Sequence, residues 1–255
     1  MMPMAVWLLI AAASWAVVVW MCWFFGARWS SRGPGANPIT GLLWLSVRVF
    51  CHLRHRPAYR GLQHVPDTNR TGGLIVVANH TGPIDPLVIQ AACRFEIRWM
   101  MAEEMMIDQL DWLWRRQRMI PVARAGSDMA AAREAIRHVR SGGVIGIFPE
   151  GGIVRPSGQI RPFHQGVGLV IVKTEAPVLL AWVRGTPEAT GMMAALKSCS
   201  RPLVDFIDLL EFTGQRDPRG ITSRLRSRLS EASGWPQCQE PLTPPRPKSD
   251  PFALS

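Results

Sequence analysis

Disulfide spacing is missing from this 255-residue chain. The five cysteines, Cys22, Cys51, Cys93, Cys199 and Cys238, are odd in number and scattered. That argues against a disulfide framework or a thiolate metal site and fits a reducing compartment. A Gly-x-Ser-x-Gly elbow is absent too, and no cysteine is a plausible nucleophile, so a covalent enzyme intermediate has no support. Acidic residues are scarce, 19 against 29 Lys and Arg, for a net charge of +10 and a pI near 10.6. Such a balance needs an anionic partner. Nucleic acid is not the expected one, because arginine is spread along the chain and no nucleic-acid-reading motif is present. No spacing of His, Cys, Asp and Glu marks a metal site, and no cofactor is expected.

Charge is also absent from the first 27 residues, where Met4 to Phe25 is an almost unbroken apolar run. At about 1.5 Å per residue such a run can cross a hydrocarbon core of about 30 Å. The leader has no Lys or Arg and the apolar stretch is long, so residues 1–27 read as an uncleaved anchor helix and not as a signal peptide. Arginines follow at 28, 32, 48, 54, 56 and 60. Cationic flanks stay in the cytoplasm, which places the main domain on the cytoplasmic face of the cell inner membrane, with anionic lipid as its partner. Residues 28–59 form a basic membrane-proximal section. Within it, Gly41 to Leu53 reads as an interfacial or re-entrant helix with Trp44 at headgroup level, or else as an amphipathic helix packed on the domain.

From residue 60 to 234 strand and helix signals alternate. Apolar runs at Leu74–Ala78, Phe95–Met101, Met119–Val122, Val144–Phe148, Val178–Val183 and within Arg201–Phe212 read as strands. Asp128–Arg140 is an amphipathic helix with Met129, Ala132, Ile136 and Val139 on one stripe, stopped by Gly142-Gly143. Helices are expected near Pro86, at Gly166–Thr174 and at Arg219–Ser233. The pattern implies an α/β fold, a mainly parallel sheet flanked by helices. Residues 235–255, rich in proline, read as a disordered tail.

The chemistry concentrates at Asn79-His80-Thr81-Gly82-Pro83-Ile84-Asp85. His80 should emerge at the carboxyl end of a buried strand, where open α/β sheets hold their sites. Asp85 before Pro86 reads as a helix start with the carboxylate at the N-cap. A strand-end imidazole can then meet a carboxylate that sets its tautomer and orientation, as a general base requires. The bland reading, a cap and a polar loop residue, is open on this segment alone.

Four segments occur in order: Asn79-His80 to Asp85; Met119 to Arg124; Phe148-Pro149-Glu150-Gly151; and Ala176-Pro177-Val178. This set resembles the four blocks of the glycerolipid acyltransferase family, the 1-acyl-glycerol-3-phosphate acyltransferases among them, over roughly residues 60 to 215. The resemblance implies that His80 is a general base drawing the proton from an acceptor hydroxyl as it attacks a thioester, and that Asp85 orients it. It implies substrate contacts from Asn79, Arg124, Glu150 and Gly151, with the donor an acyl-CoA or acyl-carrier-protein and the acceptor a lysolipid. Backbone N–H groups near Gly82 or Gly151 are candidate oxyanion donors. Arginine suits a phosphate because its planar fork donates two parallel hydrogen bonds.

The chain departs from the family pattern at three points. Ile153 stands where an arginine for glycerol phosphate is expected, and Arg155 is the candidate to reach that phosphate instead. His164 replaces a lysine, and Leu180 a second proline. Two alternatives therefore accompany the lysophosphatidate reading: a different lysophospholipid or aminolipid acceptor, and a catalytically silent lipid-binding protein. His52, His55 and His64 are expected at the surface, and His138 on the polar side of its helix.

Overall fold

The computed structural model describes residues 38–66, 73–103, 106, 111–122, 129–189 and 191–242. The expected anchor over residues 1–27, Arg124 of the second block and the far end of the expected tail lie outside them. Among the described residues no helix is long and apolar enough to cross a membrane.

Seven strands form one sheet: β1 (Ala58–Arg60), β2 (Leu74–Ala78), β3 (Ile97–Ala102), β4 (Ile120–Val122), β5 (Val144–Ile147), β6 (Val178–Arg184) and β7 (Leu203–Leu210). Their order is β1-β7-β6-β2-β5-β3-β4. All neighbours pair in parallel except β6 with β7, so the sheet is mainly parallel, as the alternating pattern implied. The sheet takes in Ala58, two residues ahead of the expected domain start. All five residues of the central β2, Leu-Ile-Val-Val-Ala, are buried. A strand covered on both faces has no reason to alternate with polar residues, which explains the unbroken apolar run.

Helices cover both faces. Ile75, Val77, Ile145 and Leu180 point to one side, where they meet α4 (Met129–Arg140), α5 (Gly166–Thr174) and α7 (Pro218–Ser233). Leu74, Val76, Ala78 and Leu179 point to the other and pack on α2 (Asp85–Ala92), with α1 (Pro38–Phe50) laid over it. The chain also contains α3 (Asp111–Arg116) and α6 (Met192–Lys197). The face of α4 differs from the expected stripe. Ala131, Ala135 and Val139 are buried, at i, i+4 and i+8, whereas Met129 is half exposed. The physical reason is close packing: small alanines let the helix approach the sheet, and a Cβ on Gly73 would lie 2.2 Å from the Val139 carbonyl oxygen.

The membrane-proximal section is built into the domain more firmly than expected. Trp44, read as a headgroup residue, is buried, and its indole Nε1 donates to the Cys93 carbonyl at 2.7 Å. After α1 the chain tightens into a π-helical turn, Cys51–His55, and enters β1 through Arg56 in the left-handed region. His55 is not at the surface. It is fully buried with Nδ1 against Ser200 Oγ at 2.8 Å, and burial, with Arg54 beside it, lowers its pKa. His64 is half buried against the Phe206 carbonyl. The start of the expected tail is also docked: Trp235 packs edge-on to Trp182, and Cys238 N–H donates to the Ile160 carbonyl at 2.9 Å. Stacking and backbone pairing hold a segment whose composition signalled disorder.

The Trp44 bond is the one polar tie of α1 to the α2 layer among the described residues. Trp44→Phe removes it and strands the Cys93 carbonyl, which should cost about 1–2 kcal/mol and lower Tm by a few degrees. An unchanged Tm in detergent would mean that α1 is not held this way.

Candidate active site

The loops after β2, β5 and β6 meet at one end of the sheet. His80 follows β2 by one residue beyond Asn79, and its Nδ1 lies 2.9 Å from Asp85 Oδ2. Asp85 is completely buried. Its Oδ2 also accepts the backbone N–H groups of Thr81 at 2.6 Å and Gly82 at 2.9 Å. A carboxylate accepts only, so His80 Nδ1 carries the hydrogen and Nε2 keeps its lone pair. Nε2 has no hydrogen-bond partner among the described residues, and the imidazole is about 15% exposed. The expected pairing is thus present, with one correction. Asp85 is the first helical residue, not the N-cap, which is Ile84. The carboxylate points back into the turn and caps nothing in α2, because the imidazole and two turn amides claim it.

The peptide groups flanking the imidazole are held from the loop after β5. Glu150 Oε2 accepts the His80 N–H at 3.0 Å, and Val154 N–H donates to the His80 carbonyl at 2.8 Å. Glu150 Oε1 accepts the Arg161 N–H at 3.0 Å. Both carboxylate oxygens of Glu150 are therefore committed to backbone, and the side chain is 1% exposed. Burial pushes its pKa up to about 7, against the downward pull of the two amides. With both oxygens so engaged, Glu150 braces the loop. Asn79 has a bracing part too. Its amide nitrogen donates to the Val183 carbonyl and its oxygen accepts the Val183 N–H, each at 2.8 Å, which pins the end of β2 to β6.

Gly151 and Arg155 keep access to the site. Gly151 is exposed, with φ +79°, a backbone that favours glycine. The His164 ring covers it, and a Cβ there would lie 2.4 Å from His164 Nε2. Arg155 is half buried and its Nη1 donates to the Thr81 carbonyl. The two expected oxyanion donors are not free: Gly82 N–H is taken by Asp85, and Gly151 N–H donates to the Phe148 carbonyl at 3.1 Å.

Several participants escaped sequence reasoning. The Phe148 ring stacks on the His80 imidazole at 4.0 Å and 12°, and Trp99 stacks on Phe148 at 4.7 Å and 10°. Trp99 reaches this place because it pairs in register with Gly146, whose absent side chain makes room; a Cβ there would come within 2.3 Å of the indole. A glycine inside an apolar strand is a known sign of such close approach and was the available clue. Thr81 Oγ1 meets Thr186 Oγ1 at 3.0 Å, joining the β2 and β6 loops behind Asp85. Among the described residues no cluster of three His, Cys, Asp or Glu could hold a metal ion.

Glu150 sets a pH signature. Its folded pKa is raised, so the unfolded chain ionises first, near 4.5, and stability falls as pH climbs from there to about 7. The loss is on the order of 3 kcal/mol. In Glu150→Gln this titration is gone, so wild-type Tm minus variant Tm should drop across that window and level off above it. A difference that stays flat with pH would show that Glu150 ionises in the fold as it does in water.

Comparison with known proteins follows the same lines. Residues 56–184 match the family described as Acyltransferase. Proteins of Mycobacterium tuberculosis and Mycobacterium bovis, both described only as uncharacterized, are 28% identical over 211 residues, covering 75% of this chain and 55% of theirs. The chain thus spans about half the length of these curated relatives. The fold is similar to that of PlsC, the 1-acyl-sn-glycerophosphate acyltransferase from Thermotoga maritima, with a TM-score of 0.63 and 19% identity over 89% of this chain and 94% of that one. Half of the chain lies within the matched segment, which carries His80, Asp85 and Glu150, and the protein belongs to the acyltransferase family.

Proposed function

We propose that this protein is a membrane-associated O-acyltransferase. It moves a fatty acyl group from an acyl-CoA or acyl-carrier-protein thioester to the free hydroxyl of a lysolipid, with 1-acyl-sn-glycerol-3-phosphate as the leading acceptor and phosphatidate as product. The observation that carries this reading is the His80 Nδ1 to Asp85 Oδ2 contact of 2.9 Å, which leaves Nε2 as an unpartnered base on a ring braced by Phe148.

The steps balance without a covalent enzyme intermediate. As the acceptor oxygen attacks the thioester carbonyl, its proton passes to His80 Nε2. Asp85 stabilises the imidazolium that forms. When the tetrahedral intermediate collapses, the C–S bond breaks, the ester remains, and the imidazolium returns the proton to the departing thiolate. The acidic partner costs little to hold ready, because its charge is already met by two backbone amides. The apolar N-terminal run and the arginines behind it support attachment to the inner membrane with this domain on the cytoplasmic face, against anionic lipid.

A specific observation favours a second acceptor. Ile153 occupies the place of a phosphate-binding arginine, and the nearby Arg155 already donates to the Thr81 carbonyl. Both features weaken the grip on glycerol phosphate and favour an acceptor without it, such as another lysophospholipid or an aminolipid.

His80→Ala should lower turnover at least ~100-fold, far more than follows from the modest fall in Tm expected when Asp85 loses its imidazole partner. Equal turnover would leave a silent lipid-binding protein as the better reading. Assaying lysophosphatidate beside zwitterionic and uncharged lysolipids separates the acceptors. Arg124→Glu should then cost roughly tenfold or more with phosphate-bearing acceptors only, the loss of a charge-assisted pair. A uniform loss across acceptors would rule out phosphate recognition by that residue.

A further inference from the structure

Away from the His80 turn, one depression combines uncompensated positive charge with an apolar rim. It has a volume of about 290 Å³ and is lined by Leu53, Arg54, Arg56, Cys199, Ser200 and Arg201. It lies where the π-helical turn Cys51–His55 meets the segment between α6 and β7. The walls are tied together: Arg54 donates to the Lys197 carbonyl, and His55 bonds Ser200 across the junction. None of the three arginines has a carboxylate within ion-pair distance among the described residues. Arg56 is presented from a left-handed backbone, φ 42°, that a non-glycine residue adopts only when its surroundings impose it. Three arginines lining one hollow, without a carboxylate partner among the described residues, suit an anion with several oxygens.

The topology says which way this hollow faces. β6 and β7 are antiparallel, with Arg184 opposite Leu203, and β1 runs parallel to β7 with Ala58 opposite Leu203. The residues just before β1 and β7 therefore lie at the end of the sheet where β6 and β2 finish, the end that carries His80. Three strand spacings, roughly 14 Å, separate β2 from β1 across the sheet. Leu53 lines the hollow, and Leu42, Val49 and Leu53 are 56%, 48% and 67% exposed. Their spacing of i, i+7 and i+11 puts them on one stripe of α1 and its continuation.

We propose that this hollow is a headgroup site. It takes the phosphate of an anionic phospholipid while the Leu42, Val49 and Leu53 stripe enters the bilayer beside it, so that the His80 end of the sheet faces the lipid surface. The inference rests on the membrane-surface part of the reading above and assigns it a place. Charge complementarity and the continuous apolar stripe select a lipid over a soluble phosphate compound. Each basic side chain near an anionic surface adds roughly fivefold to binding.

Cys199, an exposed thiol in the lining, reports occupancy. The full-length protein is mixed with vesicles of phosphatidylcholine, alone or with added phosphatidylglycerol. Thiol alkylation is then followed peptide by peptide, with the half-exposed Cys238 as the internal reference. Phosphatidylglycerol should slow alkylation of Cys199 about fivefold or more and leave Cys238 unchanged, and Arg54→Gln with Arg201→Gln should abolish the protection. If that variant fails to fold, the wild-type comparison decides alone. Equal Cys199 rates on both vesicle types, with protein bound to each, overturn the headgroup site and spare the membrane reading. Protein that floats free of both overturns the two together. Protection by CoA added to phosphatidylcholine vesicles, greater than that from phosphatidylglycerol, would assign the hollow to the donor's nucleotide phosphates and overturn the lipid proposal.

Discussion

The His80 peptide is gripped on both sides by the loop that follows β5. Glu150 takes its N–H and Val154 supplies a donor to its carbonyl. A residue just past the end of a parallel strand has lost its ladder partners, and buried backbone groups must find others. Here those partners come from one loop, so the position of the imidazole is tied to the pairing of β2 with β5. Asn79 performs the matching task towards β6 by bonding both backbone groups of Val183. Asn79 of the first block and Glu150 of the third are thus braces of the scaffold. The turn from His80 to Asp85 is what remains available for chemistry.

Two buried carboxyl groups lie close together in this arrangement, and they are treated differently. Asp85 Oδ2 faces three donors, one of them the imidazole. Glu150 meets two backbone amides, and burial outweighs them, holding its proton up to about pH 7. A buried charge is tolerable when its lone pairs are matched, and costly otherwise. The apolar side of the site is equally specific. The imidazole, Phe148 and Trp99 form a three-ring stack that depends on the missing side chain of Gly146. Stacking fixes the plane of the imidazole while Asp85 fixes its rotation, so the ring has little freedom left to lose when a substrate arrives.

The same end of the sheet carries positive charge on its β1/β7 flank and an exposed apolar stripe on α1. Under the proposed function, the base must be brought to the headgroup region of a lipid surface, and a net charge of +10 favours an anionic one. On that reading the topology puts the arginines before β1 and β7 in the right place: β7 runs antiparallel to β6, so it begins where β6 finishes, at the end where His80 stands, and β1 begins beside it. The Arg155 side chain, drawn to the Thr81 carbonyl, and the apolar Ile153 leave less cationic reach beside His80 itself.

Sequence alone determined six of the seven sheet strands, the α/β class, the His80 and Asp85 pair and the loop at Glu150, since each depends on short-range pattern: an unbroken apolar run, a turn with Gly and Pro, a helix start; β1, three residues without such a run, was missed. It went astray where a side chain's partner lies far along the chain. Nothing local distinguishes a Trp44 at a headgroup from one that donates to Cys93, or a His55 at the surface from one buried against Ser200. The stacking of Trp99 on Phe148 required the register of β3 against β5, and the placing of Arg54, Arg56 and Arg201 around one hollow required strand order. Local pattern decides which elements form because helix and strand periodicity act over a few residues. Only the tertiary structure decides which buried groups satisfy one another, because hydrogen bonds and contacts are settled by distance in space and not by distance along the chain.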